Sequence, residues 1–200
     1  MEAVTSLVLA TRNPHKVREI ARILEPGTIA VQPLPGGVEL PPEDGASFEE
    51  NALPKARTAA AHTGRPAIAD DSGIEAEALG GAPGVRSARY AGVGATDQQN
   101  LSKLLSAAPA GSRLRYVCAL AYVDPRSGEE RVFHGYCRGH LAASPRGSGG
   151  FGYDPAFIPD GGHDGRTMAE LGDQEKDAIS HRGEALRALM AWLTEDDVRR

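Results

Sequence analysis

The sequence has no apolar run of about 18 residues, and its first residues show no basic stretch leading into an apolar one. Neither a membrane span nor a secretory leader is therefore expected. Aromatic residues are sparse, at 5%, and there are two cysteines, Cys118 and Cys137. Both sit in apolar or aromatic strand-like surroundings, which suits buried free thiols in a reducing compartment and argues against a disulfide scaffold. A cytoplasmic location is expected. The formal net charge is -5, and Lys and Arg are scattered, with no basic block or aromatic ladder, so polymeric nucleic acid is not an expected partner. No Gly-Lys-Ser/Thr triplet follows a glycine-rich turn, which excludes P-loop chemistry. Six scattered histidines, without Cys-x-x-Cys or His-Glu-x-x-His, argue against zinc, and no Gly-x-Ser-x-Gly elbow is present.

What is present is an ordinary globular composition: 200 residues, 40% hydrophobic and 24% charged, enough for one substantial core. The expectation is a single domain over 1–200, with a charged tail that frays from about residue 195. Leu7, Val8, Leu9 and Ala10 read as a buried strand running into Asn13 and Pro14, which can cap and open a helix. Val17, Ile20, Ala21 and Leu24 give that helix its apolar face, and Pro26-Gly27 stops it. Residues 33–45 read as an exposed Pro- and Gly-rich loop. Ser47 to Glu50 then forms a capping-box pattern opening an Ala-rich helix, which Pro54 is expected to kink or restart. Ala67, Ile68 and Ala69 lead into Asp70-Asp71-Ser72-Gly73, read as a strand ending in a turn. A second capping box, Thr96 to Gln99, opens a helix carrying Leu101, Leu104 and Leu105, and strands over 113–123 and 131–139 flank a hairpin turn at 124–128. A glycine-rich loop covers 147–154, and a last helix starts near Ser180 with Leu186, Leu189, Met190 and Leu193 on its core face.

Several residues could carry chemistry. Arg12 and Lys16 lie at a helix N-terminus, as do His181 and Arg182, where cations oppose the helix dipole by roughly 0.3–1 kcal/mol each. An anionic ligand would reverse that penalty. Asp70-Asp71 is the best acid-base candidate, since Mg²⁺ favours one or two carboxylates plus phosphates and a carboxylate can accept a proton from water. In isolation such a pair is often only a solvated turn. Gly147-x-Gly149-x-x-Gly152 fits the letters of a dinucleotide fingerprint, but Pro155 comes directly after Asp154 and no amphipathic helix opens from the last glycine. The loop reads instead either as a mobile segment or as one in which Phe151 or Tyr153 stacks on a base.

Taken together, Thr11-Arg12-Asn13-Pro14-His15-Lys16, Ser47-Phe48-Glu49-Glu50-Asn51-Ala52 with Lys55, Asp70-Asp71-Ser72-Gly73, Gly80 to Tyr90, Gly149 to Pro155, and Lys176 with Ser180-His181-Arg182-Gly183 closely resemble the inosine triphosphate pyrophosphatase family. The resemblance runs from Leu7 to about Leu193. It implies a homodimeric α/β enzyme with an elongated mixed β-sheet, flanking helices and two lobes around a nucleotide-binding cleft. It implies Mg²⁺-dependent hydrolysis of the non-canonical purine nucleotides ITP, dITP and XTP to monophosphate and pyrophosphate, which keeps deaminated bases out of DNA and RNA. By the same resemblance, Thr11, Arg12, Asn13, Pro14, His15 and Lys16 hold the phosphates, with Lys55 nearby. Asp71 is proton acceptor and metal ligand, and Glu43 is a second Mg²⁺ ligand on a loop that also carries Glu39 and Asp44. Ser72, Phe151, Gly152, Tyr153, Asp154, Lys176, His181 and Arg182 bind the nucleotide, with His181 and Arg182 aimed at the 6-oxygen of the base. Pro54 and the insert at 160–165 depart from the family pattern.

Overall fold

Leu7, Val8 and Leu9 are almost fully buried and form the heart of β1 (Thr5–Leu9) in a computed structural model that describes residues 5–25, 29–161 and 164–199. β1 pairs in parallel with β2 (Ile29–Pro33) and with β3 (Ala67–Ala76), and a strand flanked on both edges reads as a continuous apolar run. The sheet has six strands in the order β2-β1-β3-β4-β5-β6, completed by β4 (Arg113–Val123), β5 (Glu130–Leu141) and β6 (Phe157–Pro159). β6 runs antiparallel to β5, so the sheet is mixed and the α/β expectation holds. β2 is absent from the sequence reading because it is an edge strand without buried alternation; Pro33 ends it, and proline is tolerated at an edge.

Among the described residues five helices flank the strands: α1 (Pro14–Leu24), α2 (Phe48–Thr63), α3 (Asp97–Ala107), α4 (Asp173–Ile179) and α5 (His181–Arg199). Asn13 caps α1 by accepting from the N–H groups of His15 and Lys16, with Pro14 at the first position, as the sequence indicates. The Pro26-Gly27 stop lies outside the described residues. The capping box of α3 is present as expected, Thr96 and Gln99 satisfying each other's backbone N–H. At α2 the box is displaced: Ser47 Oγ accepts from Glu50 N, but the Glu50 carboxylate reaches back to Ala46 N instead of Ser47 N. α2 also continues through Pro54 as one helix instead of restarting, with Asn51, Ala52, Lys55, Ala56, Ala59 and Ala60 buried along it. Tertiary packing of that face outweighs the single helical hydrogen bond that the proline ring removes.

Two other expectations are corrected. Asp70 and Asp71 do not stand at the end of a strand, because β3 continues to Ala76. The two carboxylates stay within the sheet since each has buried polar partners that replace water. Nor is the 33–45 loop exposed throughout: Leu34 and Val38 are buried beneath it. At the C-terminus the backbone stays helical to Arg199 although the apolar stripe ends near Leu193, where frayed chain was expected; Thr194 Oγ1 donates to Met190 O in this last stretch. Within the 160–165 insert, Asp160 pairs with Arg113, and residues 162–163 lie outside the described set.

The chain divides into two compact units. The first is formed within Met1–Asp71, Cys118–Gly135 and Arg182–Arg200, around Leu7, Leu9, Ile20, Leu24, Ile68 and Leu120. The second is formed within Ser72–Val117 and Tyr136–His181, around Ile74, Leu104, Leu114, Tyr116, Phe157 and Met168. Full burial of each such aliphatic or aromatic side chain contributes about 1.5–3 kcal/mol. Cys118 and Cys137 are free and buried, as expected; burial pushes the Cys118 thiol up to about 12, which leaves it inert. No helix among the described residues is long and apolar enough to cross a membrane.

Candidate active site

The β1-α1 turn delivers Lys16 into the first unit. Its Nζ lies 3.1 Å from Asp70 Oδ1 and donates to the Asp70 carbonyl at 3.5 Å. Lys55, from the buried face of α2, donates to the same carbonyl at 2.8 Å and to Glu43 Oε1 at 2.5 Å. Successive residues on a strand face opposite ways, and β3 uses that alternation to give its two aspartates different surroundings. Asp70 is fully buried and accepts from Arg182 at 2.9 Å (Nη2) and 3.3 Å (Nε), while Arg182 Nη1 donates to Glu19. Asp71 accepts from Asn51 Nδ2 at 2.8 Å, and Asn51 in turn accepts from Gly45 N at 2.8 Å.

These surroundings push the two neighbours in opposite directions. Burial raises both carboxyls. At Asp70 the charges of Lys16, Arg182 and Lys55 more than offset it, and the group is held well below the usual carboxylate range. At Asp71 burial prevails over Lys16, Lys55 and the Asn51 hydrogen bond, with Glu43 adding repulsion, so its pKa is raised above 3.8. Glu43 is also raised by burial, but contact with Lys55 outweighs this and its pKa is lowered. Asp70 is thus a permanent anion and Asp71 a carboxylate biased toward taking up a proton. Among the described residues no group of three His, Cys, Asp or Glu side chains is placed to hold a metal ion by itself. The Glu43 carboxylate adds repulsion at Asp71 and is itself held by Lys55.

In the second unit the 147–154 loop folds around the buried Asp154. Asp154 Oδ2 accepts from Lys176 Nζ at 2.6 Å and from Phe151 N at 2.8 Å, and Oδ1 accepts from Tyr116 O–H at 3.0 Å. Lys176 Nζ sits 5.2 Å from the centroid of the Phe151 ring, a cation-π arrangement. Asp97 at the start of α3 accepts from Gly152 N at 3.0 Å, and Tyr153 O–H donates to Ser87 O at 2.8 Å. The loop is therefore tied by hydrogen bonds at Phe151, Gly152, Tyr153 and Asp154. Gly150 adopts φ +67°, and a Cβ there would overlap Asp154 Oδ2 and come within 3.0 Å of Lys176 Nζ. Gly150→Ala is expected to cost about 1–3 kcal/mol of stability; a urea midpoint equal to that of the parent would show that the loop can relax.

Among the residues that the sequence marked, Lys16, Lys55, Glu43 and Asp71 converge in the first unit, and Phe151, Gly152, Tyr153, Asp154 and Lys176 in the second. Others have local roles. Thr11 Oγ1 accepts from Asn13 N, Arg12 donates to the Pro35 and Val38 carbonyls, and His15 Nδ1 contacts Arg18. Ser72 is half-buried on β3, and Pro14 opens α1. His181, nearly buried, stacks on Tyr116 with centroids 4.7 Å apart and planes within 7°. Arg182 departs most from expectation, since Asp70 and Glu19 engage all three of its guanidinium nitrogens. A guanidinium this deeply buried needs carboxylate partners, and Asp70 and Glu19 supply them. The sequence reading missed Glu19, Tyr116 and Asp97. Glu19 had a signal, a charged residue at i+3 from Lys16 on the stripe that carries Ile20 and Leu24.

This chain is similar throughout its length to proteins of one kind. The profile of the Ham1 family matches residues 7–192. A dITP/XTP pyrophosphatase of Yersinia pseudotuberculosis serotype I is 50% identical over 198 residues, covering 94% of this chain and 98% of the relative. In three dimensions a HAM1 protein from Coxiella burnetii superimposes with a TM-score of 0.84 at 42% identity, over 95% of this chain and 98% of the other. A nucleoside-triphosphatase, also described as a dITP/XTP pyrophosphatase, from Mycobacterium abscessus gives a TM-score of 0.70 at 46% identity, over 92% and 98%.

Proposed function

The chain belongs to the Ham1 family, and from that premise we propose that it is a nucleoside-triphosphate pyrophosphatase acting on non-canonical purine nucleotides, dITP, XTP and ITP, to give the monophosphate and pyrophosphate. The observation that carries the reading is the raised carboxyl of Asp71 beside two ammonium groups, Lys16 and Lys55. A water molecule attacks the α-phosphorus, its proton passes to an Asp71 oxygen, and the bond to the bridging oxygen of the β-phosphate breaks to release pyrophosphate. Lys16 and Lys55 counter the negative charge of the phosphates, and Asn51 orients Asp71 through its hydrogen bond. Asp71 and Glu43 would hold Mg²⁺, which when bound neutralises charge that otherwise repels the incoming oxygen.

Base recognition belongs to the second unit in this reading. Phe151 offers a face for stacking, and Lys176 and His181 can supply the donors that favour a 6-oxo purine. A donor left unpaired against the 6-amino group of adenine is costly, which is a sound basis for discrimination. The protein would act in the cytoplasm as a homodimer, keeping deaminated bases out of DNA and RNA, with neither polymeric nucleic acid nor a membrane as partner. Pyrophosphate release from dITP, XTP, dATP and dGTP, each with Mg²⁺ and with chelator, is the direct test. Rapid release from dITP and XTP alone, abolished by chelator, is expected. Binding of dITP without hydrolysis would make the protein a nucleotide sensor, and equal hydrolysis of all four would remove the base-recognition role.

A further inference from the structure

Two elements given to the base in the reading above, the Phe151 to Asp154 loop and His181 at the start of α5, touch one residue that has no role in it. That residue is Tyr116, on β4. Its side chain is almost wholly buried; its hydroxyl donates to Asp154 Oδ1 at 3.0 Å, and one ring contact is the parallel stack with His181 at 4.7 Å. Phe157 packs on the same ring at 4.6 Å. We propose that Tyr116 is a positioning residue for base selection, which sets the donors of Lys176 and His181 in one fixed arrangement from the sheet.

The argument is geometric. Asp154 divides its acceptors, Oδ2 to Lys176 and Phe151 N, and Oδ1 to Tyr116. A carboxylate anchored on both oxygens cannot turn about its last bond, so the Tyr116 hydroxyl fixes where the Lys176 ammonium and the Phe151 ring stand. Phe157, packed against the Tyr116 ring at 4.6 Å, limits rotation of its plane. His181 lies within 7° of that plane, so the stack on Tyr116 holds the plane in which its ring nitrogens lie. Burial and the adjacent Asp154 push the phenol well above its ordinary 10.0, and it remains a donor at any working pH. A tyrosine is required on this account, because phenylalanine keeps the stack and loses the anchor.

This inference rests on the base-recognition reading, and the test separates the two. Steady-state rates for ITP and ATP are measured for the parent, Tyr116→Phe, Tyr116→Leu and Phe151→Ala. In Tyr116→Phe the kcat/KM preference for ITP is expected to fall about tenfold through a higher KM for ITP, with kcat within about threefold, as for loss of one hydrogen bond to a charged group. Tyr116→Leu, which also loses the stack, should lower the preference further. A preference unchanged in Tyr116→Phe, or a loss shared equally by ITP and ATP, would overturn the proposal, whatever happens to thermal stability. Phe151→Ala reports on the underlying reading: if its preference is intact, stacking on that loop is wrong, and Tyr116→Phe still decides whether the tyrosine governs selection.

Discussion

Asp71→Asn is expected to lower kcat by about 10²–10⁴, the range associated with loss of a positioned general base, while the protein stays folded. The amide has nearly the same shape as the carboxylate it replaces. It can still meet Asn51, since either amide can turn its oxygen or its NH₂ toward the other. What it cannot do is take a proton from water or offer an anionic oxygen beside Glu43. Removal of a charge from a site that crowds two carboxylates should leave stability unchanged or slightly raised. Single-turnover rates with dITP, together with the thermal midpoint, test both halves. Turnover within threefold of the parent would remove Asp71 as proton acceptor, and a collapsed midpoint would make it a structural residue.

Arg182→Ala is expected to act in the opposite way, through stability first. The guanidinium is 1% exposed and bridges Asp70 and Glu19, so its removal takes the shared cation from two buried carboxylates. Breaking a buried pair in this manner costs about 3–5 kcal/mol, or roughly 10 °C in the midpoint of a chain of this size. A pH signature should accompany it. Asp70 is held below its ordinary 3.8, so the unfolded chain binds more protons beneath that value. The stability that Asp70 contributes is therefore complete above pH 3.8 and is lost as the pH falls through its lower, folded value. With Arg182 gone, Asp70 rises toward its ordinary value, and the slope of stability against pH in this acid window should flatten. Urea unfolding of both proteins between pH 2 and 5, in chelator, supplies the comparison. Equal midpoints and equal slopes would show that the Glu19-Arg182-Asp70 chain contributes nothing net.

How far the sequence could be read depended on whether a feature was local. The caps at Asn13 and Thr96, the turn at 124–128 and the core stripe of α5 are set by residues within a few positions of one another, and each is found where the pattern puts it. β2 and β6 were not legible, because short edge strands take their conformation from a neighbour that pattern alone does not identify. The same holds for the site. Lys16 and Asp71 were visible as chemically odd residues in informative places. The partners that decide what those residues do, Glu19 and Arg182 at a separation of 163 and Tyr116 and Asp154 at 38, are joined only by the fold. Arg182 shows the cost of reading without them: a basic residue at a helix start suggests an external anion, but here the anions come from the protein.

The alternation along β3 has a consequence for how this site tolerates change. Asp70 and Asp71 are the same chemical group one position apart, and the face of the strand on which each emerges makes one a fixed anion and the other, in the proposed function, the proton acceptor. A slip of one residue against β1, where Val8 meets Ala67 and Leu9 meets Ile68, would exchange those duties without altering composition. Insertion or deletion between Ala67 and Asp70 is therefore far more damaging to the chemistry than substitution of any apolar residue there. In this protein, strand register is itself part of the active site.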